Sequence, residues 1–307
     1  MSKENDFIKS CKLQKFDGND AEYHAVKDAI SASTMKLLKV SPAHYKEGEK
    51  VEETDAMIFG SAYHCYILEP ERFQTDYYVF DDSMMYEKLI TDGFKSPRST
   101  KEYKEWQESE MRVIGERKVI SMEQFKTIEK MKEKLMRHPM AKSLLTNGES
   151  EVGLFGQIVT MNDKTVNVKL KADYIKTKKR IVVDLKTTAD ASLDGFTRLA
   201  AQGDYQLQAA FYLDMVQRFY EDEMPWSFVF IAQEKKAPYA FNLFEAGVKF
   251  IGQGRYEYEL LIGLYAHCLE AGRWPGYQIF CANRFGMVEL KLPAYAIQPL
   301  DWFDHKF

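Results

Sequence analysis

The sequence predicts a mixed α/β fold: a central mixed sheet flanked by helices, with a mainly helical region ahead of it. Three observations carry that expectation. Val166 to Thr188 (VNVKLKADYIKTKKRIVVDLKTT) holds two alternating runs around a basic linker, the pattern of an antiparallel hairpin with one face in the core. WSFVFIAQ and YAFNLFEA read as two further strands with EKKAP as the turn between them. Amphipathic segments with capping residues lie before, between and after these runs.

In chain order, residues 1–30 read as a polar lead-in with a strand around Glu22 to Val26. Residues 31–307 read as a single domain, with 31–148 mainly helical and 149–307 the α/β core. In SASTMKLLKVSPAHYK, Ser31 or Ser33 can cap a short helix carrying Met35, Leu37, Leu38 and Val40, and Pro42 opens a second turn or helix. Ala56, Phe59, Gly60, Tyr63, His64 and Ile67 fall on one helical face, capped by Thr54 or Asp55 and stopped before Pro70. Gly60, one turn ahead of His64, leaves room for a neighbouring element; a satisfied core histidine is the competing explanation of His64. Asp76 to Arg98 has little periodicity and reads as irregular. Lys95, Arg98, Lys101 and Lys104 form a basic run, better explained as a solvated face than as a phosphate contact.

A helix capped by Ser121 and closed near His138-Pro139 follows, with Phe125, Ile128, Met131 and Leu135 as its stripe. Glu149 to Val159 reads as the first strand, opened by Glu151 and turned at Asn162-Asp163. After the hairpin, Asp190 to Gly203 reads as a linker with a short helix. DYQLQAAFYLDMVQRFY reads as a helix with Leu207, Ala210, Phe211 and Met215 on one face and Tyr205, Gln208 and Tyr212 on an adjacent stripe. Residues 245–272 read as a long helix ending at Gly272, and the tail from WPGYQIF onward as mixed loop.

At 307 residues, 45% hydrophobic and 14% aromatic, the chain can bury a sizeable core. A net charge of −4 does not advertise nucleic-acid binding, but a local basic groove suffices for that. The apolar runs are too short to span a bilayer, and MSKENDFIKS lacks the apolar stretch of a signal peptide, so a cytoplasmic protein without a membrane partner is expected. Cys11, Cys65, Cys268 and Cys281 lack the spacing of a disulfide framework or a cluster site. Nucleotide-binding glycine loops, HExxH and GxSxG are absent from the sequence.

The hairpin carries the chemistry. Asp184 and Lys186 leave one face of their strand while Leu185 points the other way, and Asp173 lies near the end of the first strand. Two carboxylates, with the Leu185 carbonyl as a third oxygen, suit Mg²⁺, which takes hard oxygen ligands plus water and substrate phosphate. Lys186 can orient an attacking water or stabilise charge developing on a phosphate. A surface hairpin with internal salt bridges is the competing explanation, because D-x(10)-D-x-K recurs by chance in a chain that is 29% charged.

Asp173…Asp184-Leu185-Lys186 resembles the PD-(D/E)XK nuclease core, and Gln208-Ala-Ala-Phe-Tyr212 resembles the QxxxY motif of its RecB-like branch. SASTMKLLKVSPAHY, GSAYHCYILEPERF, KADYI…VVDLKTT, YQLQAAFYLD and GRWPGY together resemble the RecE-type exonucleases, from Ser31 onward. Ala172 stands where the signature has proline. The resemblance implies a restriction-endonuclease-like core. It makes His64, Asp173, Asp184 and the Leu185 carbonyl metal ligands, Lys186 the catalytic lysine, and Gln208 and Tyr212 DNA contacts. Tyr205 matches only loosely, and Glu151 corresponds to an acidic residue that some branches carry ahead of the hairpin. It further implies an Mg²⁺-dependent exodeoxyribonuclease, with Mn²⁺ able to substitute and no iron–sulfur cluster. The activity implied is 5′→3′ digestion of one strand of linear duplex DNA, leaving 3′ single-stranded tails for phage-type recombination. The partners implied are double-stranded DNA ends, a single-strand annealing protein of RecT type, and copies of itself in a ring-shaped trimer or tetramer. An endonuclease or single-strand-directed nuclease of the same fold, and a catalytically silent DNA-binding module, are the alternatives.

Overall fold

The computed structural model describes residues 7–48, 53–277, 287 and 290–293. Among them the strands are β1 (Ile8–Lys15), β2 (Tyr77–Phe80), β3 (Lys118–Ser121), β4 (Glu149–Thr160), β5 (Thr165–Lys176), β6 (Ile181–Thr188), β7 (Ser227–Glu234) and β8 (Phe241–Glu245). Six of them form one mixed sheet in the order β1-β4-β5-β6-β7-β8, and β2 and β3 form a small parallel pair. Within the large sheet only β6 and β7 run parallel. A parallel pair needs a crossover, and the two helices between β6 and β7 supply it.

The remaining residues of the first half are mostly helical: α1 (Asp20–Ala25), α2 (Ala32–Val40), α3 (Pro42–Glu47), α4 (Asp55–Leu68), α5 (Pro70–Asp76), α6 (Ser83–Thr91), α7 (Lys101–Ile114), α8 (Met122–Arg137) and α9 (Pro139–Leu144). Their starts are written locally. Ser31 and Ser121 close capping boxes with Thr34 and Gln124, Thr54 caps α4, and proline opens α3, α5 and α9. The second half adds α10 (Leu193–Gln202), α11 (Tyr205–Phe219) and α12 (Val248–Ala271), the last ended by Gly272 in the left-handed conformation. No helix of the described residues is long and apolar enough to cross a membrane.

The sheet is buried on both faces. Met35 and Leu38 of α2, Phe211 of α11, and Tyr258 and Ile262 of α12 pack with Val182, Phe228 and Phe230 on one side. Phe59 and Tyr63 of α4, and Ile128, Met131 and Leu135 of α8, pack with Val183, Leu185 and Ile231 on the other. The hairpin is therefore a central element covered twice, not one with a single face in the core. Its consecutive apolar residues Val182-Val183 and Leu185 already fit a strand buried on both faces.

Further expectations change. The lead-in is not unstructured: Ile8–Lys15 is the edge strand β1, paired with β4, and the segment read as a strand around Glu22 is the helix α1. An Asn19–Glu22 capping box starts that helix, a local signal that outweighs the alternation. The segment read as irregular contains β2 and α6; Tyr77-Tyr78-Val79-Phe80 has strand composition, and pairing with β3 supplies the missing partner. Glu149 to Val159 is a strand, but β1 precedes it in the sheet. Gly60 would tolerate a Cβ, whose nearest contact is Thr187 Oγ1 at 3.7 Å, so close approach does not require glycine there. At the end of the described chain, the Ala43 N–H donates to the Pro275 carbonyl at 3.1 Å and Trp274 stacks on Tyr45, tying the GRWPGY segment to α3. The tail beyond Tyr277 lies outside the described residues except for 287 and 290–293, and Cys281 lies outside them.

Candidate active site

The site forms where β5 and β6 part. Their ladder pairs Lys176 with Ile181, Ile175 with Val182 and Tyr174 with Val183, then stops. One residue further, the Leu185 N–H donates to Asp173 Oδ2 at 2.8 Å, so a carboxylate takes a bond that a backbone carbonyl would otherwise take. The alternation of β5 also slips here: Leu170 and Ala172 face one core, Tyr174 the other, and Ile175 the first again. Asp173 sits at that slip. Across from it on β4, Glu151 adopts φ 50°, a left-handed conformation unusual for a non-glycine residue.

His64 reaches the opening from α4, with Nδ1 3.4 Å from Asp173 Oδ2. Donor atoms of His64, Glu151 and Asp173 lie within 4.8 Å of one another. Burial, with Lys186 nearby, lowers the His64 pKa to about 4, so its imidazole is neutral; a hydrogen bond with the Leu185 backbone opposes that shift. Burial raises the pKa of Asp173, opposed by Lys186 and the Leu185 N–H. Burial and then the Asp173 charge raise that of Glu151.

Asp184 is turned differently. It is 1% exposed, and Gln208 Nε2 of α11 donates to its Oδ1 at 2.7 Å. Its Oδ2 pairs with Lys186 Nζ at 2.5 Å without hydrogen-bond alignment, leaving a buried carboxylate oxygen with no aligned donor. Burial pushes its pKa up to about 6 despite Lys186. For Lys186, burial disfavours the ammonium, but Asp184 and Asp173 outweigh it and hold the pKa at about 12.

The structure brings these candidates to one opening of the sheet but groups them differently from the expectation. Glu151, a subsidiary candidate in the sequence, joins His64 and Asp173, whereas Asp184 faces Gln208 and Lys186. Gln208 is a partner of Asp184. Tyr212 packs into the core against Phe228, and burial raises its pKa well above the usual value although the Lys171 backbone N–H bonds its hydroxyl. That contact fixes β5 two residues from Asp173. Tyr205, the loose match, stands beside the site with Lys186 Nζ 5.1 Å from its ring centroid. Sequence reasoning missed Lys171, which pairs with Glu151 Oε2 at 2.6 Å, and Lys36 of α2, 5.4 Å from the same Tyr205 ring. Lys171 shares the Asp173 face of β5 two residues away, a legible signal; Lys36 sits among Met35, Leu37 and Leu38, where no spacing marked it.

The basic hairpin turn contributes nothing here. Lys176 Nζ donates to the Ser143 carbonyl at 2.5 Å, Arg180 pairs with Asp222, and Lys178 and Lys179 are exposed. Arg98 pairs with Asp82 and Lys101 with Glu105, so the basic run around them is largely self-neutralised.

Residues 31–283 match the family described as a PDDEXK-like domain of unknown function (DUF3799). The chain belongs to that family. A crystal structure from Eubacterium rectale of a protein named "Putative exonuclease" is similar at 15% identity, covering 91% of this chain and 97% of that one, with a TM-score of 0.57. At that identity the likeness is one of fold, and it agrees with the mixed sheet flanked by helices. The SSO0001 structure covers 80% of this chain and 88% of its own at 16% identity, with a TM-score of 0.25 that carries no argument. No curated protein matches the chain.

PDDEXK-like proteins typically use a divalent metal, and the residues present fit one. A neutral imidazole and two carboxylates converge, a buried Asp184 oxygen lacks an aligned donor, and carboxylates whose burial and mutual repulsion raise their pKa values gain from a cation among them. On the other side of His64, Glu151 and Asp173, a cleft of about 760 Å³ is lined also by Arg72 and Lys171.

Proposed function

We propose that the protein is a metal-dependent deoxyribonuclease that digests one strand of linear double-stranded DNA from its ends. The observation that carries the reading is the parting of β5 and β6 around Asp173 and Asp184, with a charged Lys186 paired with Asp184. His64, Glu151, Asp173 and the Leu185 carbonyl would hold Mg²⁺ or Mn²⁺, with Asp184 completing the set once Gln208 is displaced or shared. A bound divalent ion supplies a more acidic water and neutralises charge on the phosphate.

The chain's own residues do the rest. Lys186, held as an ammonium by Asp184 and Asp173, stabilises negative charge on the phosphate or orients the water. Gln208 fixes the rotamer of Asp184, and its amide has a second N–H and a carbonyl oxygen to offer a substrate. Tyr212 holds β5 in register under the site.

The finer reading is 5′→3′ polarity with 3′ tails left for recombination by strand annealing, Mg²⁺ as the working ion, a RecT-type annealing partner and a ring-shaped homo-oligomer. It rests on the resemblance of motif order from Ser31 onward. Digestion of end-labelled linear and covalently closed circular duplex, with Mg²⁺ or EDTA, tests it. Mononucleotides released first from the 5′ label, from linear DNA only and only with metal, are expected. Cutting of the closed circle assigns an endonuclease instead, and binding without degradation in Mg²⁺ and Mn²⁺ assigns a DNA-binding module.

A further inference from the structure

The lysines close to the candidate site are nearly all matched to carboxylates. Lys186 faces Asp184, Lys171 faces Asp20 and Glu151, and Lys39 faces Asp204 and Glu257. Lys36 is the exception among them. It is half-buried on α2 and makes no ion pair with the described residues; its ammonium lies over the Tyr205 ring, 5.4 Å from the centroid. The same ring carries Lys186 at 5.1 Å. Tyr205 cannot move away, because it stacks on buried Phe230 with centroids 5.7 Å apart.

Two ammonium groups thus share one aromatic ring, and among the described residues only Lys186 is in direct contact with a carboxylate. Burial and then the Lys186 charge lower the Lys36 pKa, and the charges of Asp204 and Asp184, neither in contact with it, offset this only in part. A cation–π contact offsets roughly 0.5–2 kcal/mol, less than an anion in contact with a desolvated ammonium. An arrangement that leaves such a group unneutralised beside a phosphodiesterase site fits an anionic ligand that arrives with the substrate.

Resting on the nuclease reading, we propose that Lys36, seated with Lys186 on Tyr205, forms an anion subsite for a phosphate group of the DNA next to the one being cleaved. The phosphate is either an internal diester or the terminal monoester of the strand end. Lys36 binds and positions this group, while Lys186 acts on the scissile one.

Binding of fluorescent duplex with Ca²⁺ in place of Mg²⁺ tests the subsite without cleavage. Each phosphate contact contributes a slope of about 0.9 in log Kd against log salt. Lys36→Met, which keeps the aliphatic stem, is expected to weaken binding and lower that slope by about one contact. Lys36→Arg is expected to restore it. Lys39→Met removes the same charge three residues on, from an ammonium already paired, and is expected to leave the slope unchanged. Loss of the Lys36 effect on duplex with a 5′-hydroxyl end assigns the terminal phosphate; its persistence assigns an internal one. An unchanged slope in Lys36→Met, or an equal drop in Lys39→Met, overturns the subsite while leaving the nuclease intact. Absence of any binding by the wild-type protein overturns the nuclease reading itself.

Discussion

Asp184→Asn separates what the site costs the fold from what it does. Asp184 is 1% exposed, and its carboxyl pKa is raised from an ordinary 3.8 to about 6 by burial first, with the Asp173 charge adding to it. Because its folded-state pKa lies above its unfolded one, the stability its proton confers is complete below pH 3.8 and lost as pH rises through about 6. At about 1.4 kcal/mol per pH unit, ionising Asp184 at neutral pH costs the fold about 3 kcal/mol, with the attraction of Lys186 already included. Asparagine keeps the shape and can still meet Gln208, and it carries no charge. The metal-free variant is therefore expected to be more stable than wild type at pH 7, by about 1–3 kcal/mol, with only about a third of that advantage left at pH 4.5. The assay is urea denaturation in EDTA at both pH values, repeated with Mn²⁺. Adding Mn²⁺ is expected to stabilise wild type and to stabilise the variant much less, since a ligand that binds only the folded state raises its stability by mass action. A variant less stable than wild type in EDTA at pH 7, or one with the same advantage at both pH values, refutes the claim that burial of this carboxylate is a cost held for function.

Other expectations follow from the same geometry. The stabilisation conferred by Mn²⁺ should shrink as pH falls from 8 to 5, because protons compete for Asp184, whose pKa is about 6, and for the raised carboxyls of Asp173 and Glu151; thermal shifts across pH read this out. Glu151→Gln should weaken Mn²⁺ binding about tenfold or more in a calorimetric titration, whereas unchanged affinity would return Glu151 to a purely structural place beside Lys171. Tyr63 donates to Gln233 Oε1 at 2.5 Å with both side chains fully buried, so Tyr63→Phe should cost about 1–3 kcal/mol in urea unfolding while leaving Mn²⁺ affinity as it was. A Cβ on Gly254 would lie 1.9 Å from the Gln206 carbonyl, so Gly254→Ala should push α12 off α11, cost about 1–3 kcal/mol, and lower nuclease activity by shifting Gln208.

What the sequence made legible was whatever is encoded within a few residues. The caps at Ser31, Thr54 and Ser121, the extents of the strands β5 and β6, and the Gly272 stop are local, and each appears in the structure at its expected place. Asp173, Asp184 and Lys186 were legible because a strand fixes which face each side chain leaves by. The β1 edge strand was not, since IKSCKLQK is polar at most positions and becomes a strand only by pairing with β4. The regrouping of Glu151 with His64, and of Asp184 with Gln208, depends on the slip at Asp173 and the left-handed turn at Glu151, neither of which leaves a periodic trace. Lys36 meets Lys186 across 150 residues, through a tyrosine on a third element. No local rule reaches that far.

The central claim is that this constellation cleaves phosphodiesters with a divalent metal, and its most direct measurement is release of acid-soluble nucleotide from linear duplex DNA by wild type and Lys186→Ala, each with Mg²⁺ and with EDTA. The account predicts release by wild type in Mg²⁺, none in EDTA, and a loss of at least a hundredfold in Lys186→Ala, about 2.7 kcal/mol or more of transition-state stabilisation. Equal release by the two proteins in Mg²⁺, or undiminished release by wild type in EDTA, would contradict it.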